Sequence, residues 1–175
     1  MQGVAFARRL KINWVSFFVD FLLAGMVIGP LAAPFLADSG WFILPGIAEI
    51  IYFMGRHVCP QPEMGLSLAS PFLMAVCMRC YGTVTGLLLT RLLCGLTGGK
   101  GFYWLHQYGW SGAAFTSVLM MAYPLELAAE VLGWWNFNNY VVTLFGLVTG
   151  LAWGLFTMPL LLNTNSVVSD RSPLI

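Results

Sequence analysis

Charge is what this sequence lacks most. Only 9% of its 175 residues are charged, whereas 59% are hydrophobic, and the mean hydropathy is +0.80. Soluble domains carry about 25% charged residues, so this chain cannot cover a water-facing surface, and we interpret it as an integral membrane protein in a lipid bilayer. The net charge is only +1 and no basic run is present, which excludes nucleic acid as a partner.

The sequence also lacks the motifs of common enzyme chemistry. The stretch GLTGGKG (95–101) has Cys94 in place of the first glycine of a phosphate-binding loop, and no Ser or Thr follows Lys100. No serine has His and Asp neighbours at a hydrolase-like spacing. The short loops also leave little room for a substrate pocket, so we expect a protein that is not an enzyme.

Four apolar segments are long enough to cross a hydrocarbon core of about 30 Å. They are residues 14–36, 71–96, 111–133 and 139–162. The first exceeds the core of about 7–15 residues in a cleavable signal peptide and carries Asp20, so we expect it to remain as a span. The pattern predicts an all-α transmembrane four-helix bundle in one domain (1–162), followed by a polar C-terminal tail (163–175).

A fifth apolar run, residues 41–54, is too short to span and is interrupted by Pro45, Gly46 and Glu49. Its length predicts an interfacial or re-entrant helix between the first and second spans.

The distribution of cations predicts the orientation. With four spans and a cytoplasmic N-terminus, the inner side receives Arg8, Arg9, Lys11, Lys100 and Arg171. A fifth span would move Lys100 and Arg171 outside, so the positive-inside rule favours four. We therefore expect both termini in the cytoplasm and residues 56–82 at the outer face, periplasmic or lumenal.

Three of the spans carry glycines at four-residue spacing, which lets helix backbones approach closely where lipid provides no hydrophobic drive for association. The predicted packing residues are Gly25 and Gly29, Gly82 and Gly86, and Gly146, Gly150 and Gly154.

Five ionisable residues fall within the predicted spans, where an unpaired charge costs several kcal/mol. Their depths along the spans predict an Arg79–Glu126 pair near the outer side and an Arg91–Asp20 pair near the inner side. Glu126 and Glu130 share one helix face by their spacing, and such paired carboxylates can also carry protons or cations.

The stretch RHVCPQPEMGLSLASPFLMAVCMRCYG (56–82) holds three of the four cysteines. On a helix, Cys77 and Cys80 point to nearly the same side, and the preceding loop can bring Cys59 and His57 over them. These four side chains fit a tetrahedral site for zinc above all, or iron. The C-x-x-C spacing also fits a disulfide or redox pair. A third possibility is that the cysteines stay reduced and serve only in packing.

The sequence Cys59-Pro60-Gln61 followed by Glu63 and CMRCYG (77–82) resembles an uncharacterised prokaryotic membrane family. That family, a domain of unknown function, carries a CHQ…PERS loop followed by LCARCTGIYxG. The resemblance implies a polytopic membrane protein with a cysteine site, and cyanobacterial members make a photosynthetic membrane one candidate location. Here Pro60 replaces the histidine of the triplet and Met64 replaces the arginine of the loop.

Three hypotheses follow from these observations. The first is a non-enzymatic accessory or assembly protein, in a larger membrane complex, whose Cys/His cluster is a structural metal site or staple. The second is a membrane thiol–disulfide oxidoreductase that uses Cys77 and Cys80 with Cys59. The third is a small proton- or cation-coupled carrier that uses Glu126 and Glu130.

Overall fold

The structure, a computed structural model, describes residues 14–97 and 102–169. In this part of the chain, six α-helices follow one another: α1 (Trp14–Asp38), α2 (Leu44–Val58), α3 (Met78–Thr97), α4 (Gly109–Met120), α5 (Ala122–Val131) and α6 (Asn139–Ser169). A small antiparallel hairpin, β1 (Ser67–Ala69) and β2 (Phe72–Leu73), lies between α2 and α3.

Four helical segments among the described residues are long and apolar enough to cross a membrane: Ser16–Asp38, Met78–Thr97, Leu105–Val131 and Asn139–Leu161. The short helix α2 is not one of them. The predicted all-α membrane bundle, with a short helix between its first and second spans, is thus confirmed.

The second span begins seven residues later than the sequence predicts, at Met78 rather than residue 71. Pro71 has no backbone N–H to donate and lies in the turn between β1 and β2, a position that suits proline. The residues on either side of it pair as strands, Ala69 with Phe72. Cys77 therefore precedes the helix instead of lying on it.

The third span is broken into α4 and α5 at Met121. Pro124 has no N–H to donate to the carbonyl of residue 120 and its ring crowds that position, so the helix is interrupted one turn before the proline. The helical hydrogen bonds resume at once, because the Leu125 N–H donates to the Met121 carbonyl at 3.0 Å.

α6 continues to Ser169, seven residues beyond the predicted end of the last span. No glycine or proline occurs between residues 162 and 169 to end the helix. The rest of the predicted tail lies outside the described residues, as do Lys100, Arg171 and the N-terminal cations on which the predicted orientation depends.

α3 and α6 pack backbone to backbone through their glycines. A Cβ added at Gly146 would collide with the Arg79 carbonyl oxygen, and one at Gly150 would collide with that of Thr83. Gly82 and Gly86 of α3 lie against the backbone of α6 in the same way, whereas Gly154 of α6 lies against the side chain of Thr90. The small-residue spacing in these two spans therefore serves contact within the bundle.

Gly25 and Gly29 of α1 do not make the close helix contact that their spacing predicts. No atom lies within 4 Å of a Cβ placed at Gly25, and only the Ile51 side chain approaches one at Gly29, at 3.9 Å. α1 contacts α3 and α6 at another point, Leu23, which packs in a core with Cys94, Trp104 and Met158.

The contrast between the two sets of glycines predicts a stability difference. Gly150→Ala should lower the free energy of unfolding by about 1–3 kcal/mol, because the added methyl group overpacks the α3–α6 contact. Gly25→Ala is the matched control and should leave the free energy unchanged or raise it slightly, since alanine is the better helix former. Reversible unfolding in detergent measures both, and equal effects of the two substitutions would contradict the packing described here.

Candidate functional site

The cysteines of the 56–82 stretch lie at the ends of two helices. α2 ends at Val58, and the backbone becomes extended at Cys59, whose N–H donates to the Gly55 carbonyl at 2.8 Å. The chain then passes through the β1–β2 hairpin and returns to Cys77, whose carbonyl accepts the first hydrogen bond of α3, from Tyr81, at 3.1 Å. Cys80 follows within the first turn of α3.

Two glycines let this loop lie close against its neighbours. A Cβ at Gly55 would collide with the Ala75 carbonyl oxygen, and one at Gly65 would collide with that of Met74. The Met74 N–H also donates to the Leu66 carbonyl at 2.9 Å. The loop is thereby folded onto the end of α2, which returns Cys77 to the neighbourhood of Cys59.

The sulfur atoms of Cys59, Cys77 and Cys80 all lie within 4.8 Å of one another. The Cys59 and Cys80 sulfurs are 3.6 Å apart, and the Cys77 backbone N–H donates to the Cys59 sulfur at 3.3 Å. Hydrogen bonds from the thiols of Cys77 and Cys80 hold the pKa of the Cys59 thiol well below its usual range. All three cysteines are free, and we call them the thiol cluster.

His57, which the sequence offers as a fourth ligand, is not brought into the thiol cluster. Its ring is exposed and lies beside the Phe53 ring, tilted by 45° with the centroids 4.3 Å apart, and its Nδ1 donates to the Phe53 carbonyl at 2.8 Å. Because His57 is on the last turn of α2 and Cys59 follows the turn, the two side chains point in different directions. Among the described residues, no other His, Cys, Asp or Glu joins the three cysteines.

Arg79, the residue between Cys77 and Cys80, is fully buried and forms ion pairs with both Glu126 and Glu130 of α5. The Arg79–Glu126 contact is the one that their depths predict, and Glu130 joins it. Gln61 completes the group: its Oε1 accepts from Arg79 at 2.9 Å and its Nε2 donates to Glu130 at 3.4 Å. We call these four residues the arginine cluster.

Tyr123 links the arginine cluster to the thiol cluster. Its hydroxyl oxygen is 3.4 Å from the Cys80 sulfur, and the Arg79 guanidinium carbon lies 5.6 Å from the centroid of its ring. The sequence interpretation missed both Tyr123 and Gln61. The signal for Tyr123 was its spacing of three and seven residues from Glu126 and Glu130, which places all three on one helix face.

The profile of a family described as "Predicted membrane protein (DUF2085)" matches residues 61–156, more than half of the chain. The chain belongs to this family. No curated protein and no solved structure matches the chain.

The DUF2085 match contains Cys77, Arg79 and Cys80 together with both glutamates of the arginine cluster, and Cys59 lies two residues before its start. The resemblance noted in the sequence is thereby confirmed. The family description names a membrane protein and no activity, so the function of this DUF2085 protein has to be argued from its site.

An apolar cavity of about 270 Å³ reaches the thiol cluster from the side of α1 and α2. Gly25 and Gly29 of α1 and Cys80 of α3 are among the residues that line it. The cavity is almost entirely apolar, so it presents the Cys80 thiol to an apolar environment within the span.

A second charged contact occurs on α3, about three helical turns beyond Cys80. Arg91 pairs with Asp20 of α1, with Nη2 donating to Oδ2 at 2.8 Å, and the same nitrogen donates to the Ser16 hydroxyl. This is the other pair that the depths along the spans predict. It connects α1 to α3 and does not touch the thiol cluster.

The arginine cluster predicts strong energetic coupling. Arg79→Ala should destabilise the DUF2085 protein by about 3–5 kcal/mol, because it leaves buried carboxylates without a partner. Glu126→Ala should also destabilise it, and the double variant should cost less than the sum of the two by about 0.5–3 kcal/mol. A double-mutant cycle in detergent measures this difference, and strict additivity would show that the two side chains do not interact.

Proposed function

We propose that this DUF2085 protein binds one soft metal ion, zinc foremost, through the sulfurs of Cys59, Cys77 and Cys80. The observation that carries the proposal is the convergence of three sulfurs within 4.8 Å of one another. With a Zn–S distance of about 2.3 Å, two sulfurs of a tetrahedral zinc site lie about 3.8 Å apart. The Cys59–Cys80 separation of 3.6 Å is close to this value.

The chemistry of the donor set supports a soft metal. Thiolates bind Zn²⁺ and iron more readily than the hard cations that prefer oxygen. The Cys77 backbone N–H, which donates to the Cys59 sulfur at 3.3 Å, is the kind of outer contact that orients a metal-bound thiolate. Three ligands leave the fourth position of a tetrahedral ion to an exogenous donor such as water.

We assign the metal a structural role in a non-enzymatic accessory or assembly protein. Lipid supplies no hydrophobic drive for helix association, and a metal that joins Cys59 to Cys77 and Cys80 would fasten the end of α2 to the start of α3. On the positive-inside rule we place this site at the outer face with both termini in the cytoplasm. Association with a larger membrane complex is part of the proposal, and co-purification tests it.

The metal content of the purified protein tests the proposal. After anaerobic purification in detergent, the wild type should carry about one zinc or iron ion per chain. Cys80→Ser should lose the ion, because the remaining two sulfurs bind a metal far more weakly. The measurement is elemental analysis against protein concentration.

Cys94→Ser is the matched control, since Cys94 is a buried cysteine on the same helix that packs with Leu23 and Trp104. It should retain the ion. A metal-free wild type that is correctly folded, or loss of the ion in Cys94→Ser alone, would contradict the metal site.

The second candidate function is a membrane thiol–disulfide oxidoreductase. It is favoured by the 3.6 Å separation of the Cys59 and Cys80 sulfurs and by the apolar cavity at Cys80. Oxidation of the two thiols would form one disulfide and release two protons and two electrons to a lipid-soluble acceptor of the quinone class, which would become the quinol. The carrier hypothesis gains no such support, because Glu126 and Glu130 are both paired with Arg79.

Quinone reduction separates the two candidates. If the protein is an oxidoreductase, the reduced, metal-free wild type should convert a short-chain quinone to quinol in detergent with formation of one disulfide per chain. Cys80→Ser should be inactive, and Cys94→Ser should behave like the wild type. The metal-site proposal expects no stoichiometric quinol in any of the three, and absorbance of the quinone measures the outcome.

A further inference from the structure

The contact between Tyr123 and Cys80 joins α5 to the thiol cluster. The hydroxyl oxygen lies 3.4 Å from the Cys80 sulfur, and either atom can be the donor while the thiol is protonated. A metal-bound cysteine has lost its proton and can only accept, so in the metal-bound protein the hydroxyl must donate.

Tyr123 could either stay neutral and donate a hydrogen bond, or lose its proton and bind the metal as a tyrosinate. The surrounding charges favour the neutral form. A divalent ion with three thiolates carries one net negative charge. The arginine cluster adds another, because Arg79 faces two carboxylates, Glu126 and Glu130. A phenolate would add a third negative charge in a buried region where each uncompensated charge is costly, whereas a hydroxyl donor spreads the charge of the thiolate.

The fold delivers Tyr123 to this position through the arginine cluster. α5 begins just after the break at Met121, and the ion pairs of Glu126 and Glu130 with Arg79 hold this helix against α3. Tyr123 is on the same face as these carboxylates, one turn earlier, and its ring lies beside the Arg79 guanidinium. Arg79, which lies between Cys77 and Cys80, thus helps to position Tyr123 against Cys80.

We propose that Tyr123 is a positioning residue of the metal centre, whose hydroxyl donates a hydrogen bond to the metal-bound sulfur of Cys80. The inference rests on the proposed metal site. In this arrangement Glu126 and Glu130 do more than neutralise Arg79. They hold α5 where the Tyr123 hydroxyl can donate to a metal ligand, Cys80.

Cobalt(II) substitution tests the inference, because thiolate-to-cobalt charge-transfer absorption reports on the sulfurs directly. A hydrogen bond lowers the energy of the sulfur electrons, so Tyr123→Phe should move the charge-transfer absorption to longer wavelength. It should also weaken the affinity for Co²⁺ about 10–100-fold, as removal of an outer-shell partner does in other metal sites. Tyr81→Phe, which removes a hydroxyl from the residue next to Cys80, is the matched control and should change neither quantity.

The possible results separate the two proposals. If the folded wild type shows no thiolate-to-cobalt absorption, the metal site itself is wrong and the role of Tyr123 falls with it. If wild type and Tyr123→Phe bind Co²⁺ with the same absorption and affinity, the metal site stands and the role of Tyr123 is wrong. An ultraviolet tyrosinate signal that appears when Zn²⁺ binds the wild type, and not Tyr123→Phe, would also overturn the donor role, because it would make Tyr123 a ligand.

Discussion

The burial of one guanidinium group constrains much of this structure. Arg79 has no exposed surface, and a charge in that position requires partners because neither lipid nor a packed protein interior can solvate it. Its partners, Glu126 and Glu130, are on a helix that is distant in the sequence, so satisfying the charge fixes α5 against α3. Since Arg79 lies between Cys77 and Cys80, the same contact fixes the position of the thiol cluster relative to α5.

The other sides of α3 are held by different forces. Its glycine face meets α6 through direct backbone contact, which depends on dispersion and close fit because lipid offers no hydrophobic drive. Near its far end, Arg91 binds Asp20 of α1. At the start of α3, Cys80 contacts Cys59 at the end of α2 and faces an apolar cavity. A metal bound by the thiol cluster would add a connection between the end of α2 and the start of α3.

Much of this arrangement is predictable from the sequence because the membrane imposes simple rules. Length and hydropathy identify the four spans, and comparable depth identifies the partners of Arg79 and Arg91. Local backbone geometry is harder to predict: the hairpin around Pro71 removes Cys77 from the helix, and the apolar pattern of the third span does not show the break before Pro124. The side-chain direction of His57 depends on where α2 ends, which the sequence does not fix to within a residue. The contact between Tyr123 and Cys80 depends on how α5 lies against α3, where the ion pairs of Arg79 hold it.

X-ray absorption spectroscopy at the zinc edge is the sharpest check on the claim that three cysteine sulfurs bind one metal ion. We expect three sulfur neighbours at about 2.3 Å and one lighter atom at about 2.0–2.1 Å. A zinc ion surrounded only by nitrogen and oxygen, or by a single sulfur, would contradict the claim, because the thiol cluster would then not be the site that holds the metal.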